Sequence, residues 1–333
     1  MPSISYPRYY RCYTVHDIRL AIDTDQPQIL EALHTRLRHF STDEMPQVAF
    51  RFTFDKVLDG THHVVARPPG TLRPVYDPPV GEVVYADAAD QLYISYGDHA
   101  RVLCDARQGR VQVSYTEAVQ ANLWLLTCPL FTIPLIELLK RWQRYSLHAA
   151  GVCMDGAGIL MPGTSGAGKT TLTLAMLRGG WDMLSDDMLF LAHGSAYKRD
   201  DLQVLAFPDV IDVTDTTAHL FPELQDWVEQ PKGGGWSKHQ LRFESVYGNR
   251  FAWSCKPLVL VFPIVAEAPV SRLTPMTQDE VLLELVPNVL LTETASSQQH
   301  LDRLAALVRM CRSYRMAVGR DFEQMPELFR RLL

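Results

Sequence analysis

The stretch Gly163-Thr164-Ser165-Gly166-Ala167-Gly168-Lys169-Thr170 decides how the rest of the chain is read. It matches the pattern G-x-x-x-x-G-K-[ST] at every fixed position. Each residue type has a physical task there. Glycines reach positive φ and let backbone N–H groups approach phosphate oxygens. A loop of this kind runs into a helix N-terminus, where free N–H groups and the macrodipole favour an anion. Lys169 brings charge to β- and γ-phosphates, and the Thr170 hydroxyl can ligate Mg²⁺. Gly163, Thr164, Ser165, Gly166, Ala167, Gly168, Lys169, Thr170 and Thr171 are therefore the candidate nucleotide-binding residues.

The flanking segments fit that reading. An apolar strand over 158–161 precedes the loop, and a helix over 169–178 follows it, stopped by Gly179-Gly180. Leu172, Ala175 and Met176 fall at i, i+3 and i+4 and share one buried face. Upstream, a strand over 147–154 carries His148 and turns at Asp155-Gly156. By itself a histidine on a strand reads as structural. Downstream, a strand over 181–185 ends in Asp186-Asp187. Neighbouring side chains on an extended chain point different ways. One carboxylate can therefore serve Mg²⁺ while the other faces a different partner, such as an acceptor hydroxyl.

Further out, residues 1–118 read as β-rich, with alternating strands over 48–54 and 91–96 and turn residues such as Pro68-Pro69-Gly70 and Gly97-Asp98 between them. A helical pattern over 116–144 ends in the basic run Lys140-Arg141-Trp142-Gln143-Arg144, which suits a helix C-terminus. Its apolar part is cut by Pro129 and Pro134 and is shorter than the roughly 18–20 residues that span a bilayer, so a buried helix is expected and no membrane contact. Beyond 192 the pattern predicts a buried strand over 258–262 and amphipathic helices over 280–291 and 301–312. Two domains are expected, 1–118 and 119–333.

The chain has 333 residues, 47% hydrophobic and 21% charged, which is ample for a packed core and excludes a disordered chain. A formal net charge of −6 argues against a general nucleic-acid binder. The 6 cysteines, Cys12, Cys104, Cys128, Cys153, Cys255 and Cys311, form no C-x-x-C and read as reduced thiols of a cytoplasmic protein. The residues from Met1 to Arg8 lack a charged start followed by an apolar run, so no signal peptide is expected.

Leu147-His148, the loop 163–170 and Leu184-Ser185-Asp186-Asp187, in this order and spacing, resemble the core of the HPr kinase/phosphorylase family and its HPr-kinase-like relatives. The resemblance covers residues 145–192. It implies an α/β (mixed α+β) fold, with a phosphoenolpyruvate carboxykinase-like P-loop kinase core and an N-terminal β-rich domain. It implies transfer of phosphate from ATP, with Mg²⁺, to a serine hydroxyl. Lys169 and Ser165 would contact phosphates, Thr170 and Asp186 would serve the metal, and Asp187 would accept the serine proton with His148 beside it. HPr kinases assemble into hexamers, so the resemblance also implies a homo-oligomer. One departure matters. The family carries Glu-Ile-Arg-Gly-Leu-Gly after the aspartate pair, where this chain has Leu205-Ala206-Phe207-Pro208-Asp209-Val210. The implied acceptor is therefore a serine of a peptide or small protein other than HPr, as in relatives that accompany peptide-tailoring gene clusters.

Lys232-Gly233-Gly234-Gly235-Trp236-Ser237-Lys238-His239 reads either as a lid bringing Lys238 onto the transferred phosphate or as a surface loop. A β-rich surface over 1–118 suits an extended peptide held along a strand edge. A nucleotide-hydrolysing or nucleotide-sensing regulator, and a kinase for small-molecule hydroxyls, remain the competing readings. Replacing Lys169 by Ala removes the loop's fixed cation. Loss of charged hydrogen bonds worth about 1.5–3 kcal/mol should weaken Mg-ATP binding by about 10–100-fold in calorimetry; unchanged affinity would refute the phosphate-loop reading.

Overall fold

Two-residue periodicity dominates the first part of the chain, and strands form there. The computed structural model describes residues 8–43, 47–57, 65–76, 81–194, 202–228 and 237–333. By compactness these fall into two units. The first runs through Trp142 and includes Ser237 and Leu291–Ser296; the second holds the remainder. All six cysteines are free thiols.

The first unit is built on nine strands: β1 (Tyr9–Val15), β2 (Ile18–Thr24), β3 (Ser41–Thr42), β4 (Phe50–Lys56), β5 (Arg73–Tyr76), β6 (Glu82–Ala86), β7 (Gln91–Tyr96), β8 (Ala100–Asp105) and β9 (Arg110–Tyr115). They form one sheet in the order β3-β1-β2-β4-β9-β8-β7-β6-β5. The pairs β2–β4 and β4–β9 are parallel and the others antiparallel. Along β4, Phe50, Phe52 and Phe54 are buried while Arg51 is exposed, so alternation delivers three aromatic rings to one face. Phe52 packs on Phe131, with ring centroids 4.9 Å apart.

Phe131 belongs to the helical stretch, which is three helices rather than one: α2 (Glu117–Gln120), α3 (Leu123–Thr127) and α4 (Pro129–Lys140), with α1 (Pro27–Leu37) earlier in the chain. Asn122 starts α3 by accepting a hydrogen bond from the Leu125 N–H at 3.1 Å. Pro129 occupies the first turn of α4, where its missing N–H costs nothing. These helices bury their apolar faces in the first unit. The units consequently part at Trp142/Gln143, whereas the sequence reading divides the chain at 118/119. Leu291–Ser296 joins the same unit through Thr292. Its hydroxyl bonds to the buried Glu137–Lys140 pair (3.0 Å), and its carbonyl accepts from Arg73 at 2.7 Å.

The second unit contains β10 (Tyr145–Met154), β11 (Ala157–Pro162), α5 (Lys169–Arg178), β12 (Asp182–Ser185), β13 (Met188–His193), β14 (Leu202–Leu205), β15 (Ile211–Val213), α6 (Asp215–Ala218), α7 (Gln225–Val228), β16 (His239–Leu241), α8 (Glu244–Tyr247), β17 (Ser254–Val265), β18 (Arg272–Pro275), α9 (Gln278–Leu285), most of α10 (Thr294–Met310), β19 (Arg312–Val318) and α11 (Met325–Arg330). The two longest strands serve several neighbours. β10 pairs with β13 at its start and with β11 and β12 further on. β17 pairs with β14 at its start, then in parallel with β11 and β19. Since β13 also pairs with β14, the pairings close a circuit β10-β13-β14-β17-β11. The result is a mixed α/β unit.

Central strands covered on both faces read as continuous apolar runs, and β11 and β17 do so. Ile159, Met161, Val259 and Val261 pack with Leu172, Ala175 and Met176 of α5. Leu160, Leu260 and Phe262 face the other way, toward Val281 and Leu285 of α9 and Leu304 and Leu307 of α10. Helix boundaries differ from the periodicity reading for local reasons. α9 stops at Leu285 because Val286-Pro287-Asn288 tightens into a 3₁₀ turn. α10 starts at Thr294 and Arg312 already lies in β19. α5 ends in a Schellman pattern, with Gly180 N–H on Leu177 O and Trp181 N–H on Met176 O, both 3.0 Å.

Gly158 of β11 lets β17 approach β11. A Cβ there would lie 2.2 Å from Cys255 Sγ. Gly158→Ala should therefore destabilise the protein by about 1–3 kcal/mol in urea unfolding through overpacking. The double variant with Cys255→Ala should recover most of that loss; no recovery would place the strain elsewhere.

Candidate active site

The loop between β11 and α5 owes its shape to glycine. Gly166 has φ 85° and Gly168 φ 103°, both in the left-handed region. At Gly168 a Cβ would also meet Val265 Cγ2 at 3.4 Å. Thr164, Ser165 and Gly166 form the exposed crest of the loop. Thr170 and Thr171 sit half-buried in the first turn of α5, whose leading N–H groups have no acceptor within the helix.

Lys169 turns back beneath this crest and is only 7% exposed. Its ammonium donates to the carbonyls of Gly163 and Thr164, the latter at 3.1 Å, and to His148 Nε2 at 3.3 Å. Burial lowers its pKa, opposed by the charges of Asp187 and Asp186. An ammonium can only donate, so His148 Nε2 is the acceptor and the ring proton sits on Nδ1. Nδ1 faces Asp187 Oδ1 at 3.2 Å. Burial, aided by Lys169 and Lys238 and opposed by Asp187, holds the His148 pKa below the usual imidazole value. Lys169, His148 and Asp187 thus form one continuous row.

The aspartate pair is placed by an interrupted ladder. β12 and β13 run along β10, with Ser185 opposite Gly151 and Met188 opposite His148. Between them Asp186 and Asp187 bend away, held by the Ala149 N–H on Asp187 O at 3.1 Å. Ser185, fully buried, shapes the bend: its hydroxyl accepts from the N–H groups of Asp187 (3.3 Å) and Met188 (3.1 Å). The two carboxylates end in opposite environments. Asp187 is 74% exposed beside His148. Asp186 is 9% exposed and accepts from Thr170 Oγ1 at 2.8 Å through Oδ2. Its Oδ1 is buried without a hydrogen-bond partner among the described residues. Burial raises the Asp186 pKa to about 6, against the Thr170 hydrogen bond and with the help of Asp187.

A buried, unsatisfied carboxylate oxygen beside a threonine hydroxyl is a hard-oxygen donor set, and it fits a divalent cation such as Mg²⁺. No cluster of three or more His, Cys, Asp or Glu exists among the described residues, so the remaining ligands would be phosphate oxygens and water.

Lys238 is half-buried immediately before β16, and its charge bears on both Lys169 and His148. Residues 232–236, the rest of the expected lid, lie outside the described residues. The motif reading missed Ser185, although a serine before a bend is a recognisable signal. It also missed Asp215 and His239, bonded at 2.7 Å next to Lys238, which no local pattern marks.

No model of a known protein family matches the chain, and no curated protein matches it. Among solved structures, the HPr(Ser) kinase/phosphatase from Coxiella burnetii matches at a TM-score of 0.27 and 12% identity, over 56% of this chain and 92% of that chain. A likeness at that score leaves the chemistry of the site to the chain's own residues.

The cost of burying Asp186 can be measured. Asp186→Asn removes a charge whose Oδ1 lacks a partner, a defect worth about 1–3 kcal/mol. The ligand-free variant should melt higher than wild type by about 2–4 °C per kcal/mol recovered. Addition of Mg²⁺ with ADP should raise the wild-type midpoint and leave the variant's nearly unmoved. A variant that melts lower without ligand and still responds to Mg²⁺ would contradict this account of Asp186.

Proposed function

We propose that the chain is an ATP- and Mg²⁺-dependent kinase that transfers the γ-phosphate to a hydroxyl, with a serine of a peptide or small protein as the acceptor class. One observation carries this reading: a loop lysine hydrogen-bonded to a histidine with an assignable proton, and an exposed carboxylate 3.2 Å from that histidine's other ring nitrogen, stand in one row. Nucleotide phosphates would lie on the loop backbone and the head of α5, with Lys169 on the β- and γ-phosphates. Mg²⁺ held at Thr170 and Asp186 would neutralise charge on the same phosphates.

In the transfer, the acceptor oxygen attacks Pγ as its bond to the β–γ bridging oxygen breaks, and the hydroxyl proton passes to Asp187. His148 Nδ1–H keeps the Asp187 carboxylate turned toward the acceptor. Asp187 suits this role because it is exposed where Asp186 is not. An acceptor has to be reached from solvent, whereas a metal ligand does not. The serine class is supported by the motif resemblance over 145–192, and the absent family run at 205–210 weighs against HPr as the acceptor. The need for ATP and the free thiols suit the cytoplasm. Hydrolysis, with water in the acceptor position, is the competing reading.

The carboxylates should separate in kinetics. Asp187→Asn is expected to keep Mg-ATP affinity and lose about 10²–10⁴-fold in kcat for acceptor phosphorylation. Peptide and protein acceptors can be screened by mass spectrometry after incubation with ATP. ATP turnover that no acceptor changes would favour the hydrolase, and phosphate on HPr alone would overturn the acceptor assignment.

A further inference from the structure

β11 has β10 along one edge and β17 along the other, and the two sides of its loop differ. On the β10 side Lys169 meets His148, with Asp187 beyond it. On the β17 side the neighbours are aliphatic. A Cβ at Gly163 would lie 3.9 Å from Pro263 Cδ, and one at Gly168 would lie 3.4 Å from Val265 Cγ2 and 3.9 Å from Val318 Cγ2. Val259 and Val261 face α5, and residues two apart on a strand share a face, so Val265 continues that row past the end of the core. It is 62% exposed there, whereas Val318 opposite it is buried.

The backbone around Val265 is held on several sides. Ala266 N–H donates to Val318 O at 2.9 Å, and Arg320 N–H donates to Ala268 O at 3.1 Å. Asp321 accepts from the Ser271 N–H at 3.0 and 3.1 Å and from the Ser271 hydroxyl at 2.6 Å. That hydroxyl accepts in turn from the Gly319 N–H at 2.8 Å. Residues 266–271 are thereby tied to 319–321. The approach is close enough that a Cβ at Gly319 would lie 2.7 Å from the Val270 carbonyl carbon. Val270, 54% exposed, thus stands against the residue that follows Val318. Single exposed aliphatic side chains are ordinary. Two of them on a tied backbone beside an anion-binding loop make a preformed contact surface.

We infer that Val265 and Val270 form an aliphatic platform for the base of the bound nucleotide. The inference rests on the kinase reading above and assigns the end of the ligand which that reading leaves open. With the γ-phosphate at Lys169 and Asp187 on the β10 side, the phosphate chain crosses the loop and the nucleoside leaves on the β17 side. A purine presents flat ring faces that branched aliphatic side chains can cover, and covering them removes apolar surface from water. The platform touches no phosphate, so its contribution can be separated from that of the loop.

Titration calorimetry on the full chain tests this with two probes. One is Mg²⁺ with the β,γ-imido analogue of ATP; the other is Mg²⁺ with tripolyphosphate, which keeps the phosphates and lacks the nucleoside. The double variant Val265→Ser with Val270→Ser should bind the analogue about tenfold more weakly than wild type and bind tripolyphosphate equally well. Unchanged affinity for the analogue overturns the platform, and a raised KM for a peptide acceptor in that variant would assign the surface to the acceptor instead. Equal weakening of both probes also overturns it, because the side chains would then act through the loop they back. A wild type that binds tripolyphosphate and not the analogue refutes the platform and leaves a phosphate site. Binding of neither probe removes the nucleotide reading and the platform together.

Discussion

The second unit hangs on the edges of β10. One edge pairs with β11, and the other pairs with β12 and β13 in turn, in a register that continues across the two residues between them. A ladder that continues in register but releases two residues can aim their side chains out of its plane without losing the strand. The released residues are Asp186 and Asp187. Because β11 leads directly into the glycine loop before α5, the same sheet also sets the distance from that loop to the carboxylates. Thr170 Oγ1 meets Asp186 at 2.8 Å, and His148, on β10 itself, lies between Lys169 and Asp187. The site is thus a property of sheet register more than of any one loop.

Register of that kind needs tight packing between strands. Gly158 permits it, since its missing side chain leaves room for Cys255 of β17 where β11 passes. The parallel pairing of β11 with β17 then places Val265 behind Gly168, so the far end of β17 backs the loop that β11 begins. Apolar residues on both faces of these strands commit both sides to a core, which fixes which way each side chain points. Cores of this density transmit small displacements, so a methyl group added at Gly158 would be felt at the loop.

The local parts of this arrangement were legible in the sequence. The loop motif, its flanking strand and helix, the bend at Asp186-Asp187 and the strand carrying His148 are all set by neighbours within a few residues. Interactions between distant residues were not legible. Nothing near Asp215 indicates that it bonds to His239, and nothing near Leu291 indicates that the segment leaves one unit for the other. The helical pattern over 116–144 hid two breaks because Asn122 and Cys128 interrupt a run whose apolar periodicity continues. The division read at 118/119 differs from the compact units' division at Trp142/Gln143, because these helices belong with the first sheet. Periodicity shows that a face will be buried and is silent on what covers it.

Adjacent aspartates sit in opposite environments here, one enclosed and one open to solvent. Asp186 is enclosed, has one hydrogen-bond donor for two oxygens, and is pushed toward neutrality. When ionised in that enclosure it lacks a donor at Oδ1, and a cation would supply what is missing. Asp187 is open and paired with a histidine whose proton is fixed on the facing nitrogen by Lys169. The lysine thereby orients the carboxylate through the imidazole, without touching it. Binding of phosphate would draw Lys169 toward the anion and weaken its hold on His148 Nε2, the longest of its three contacts. On the proposed reading, nucleotide occupancy and the state of the Asp187 side chain would be coupled through this single shared proton donor.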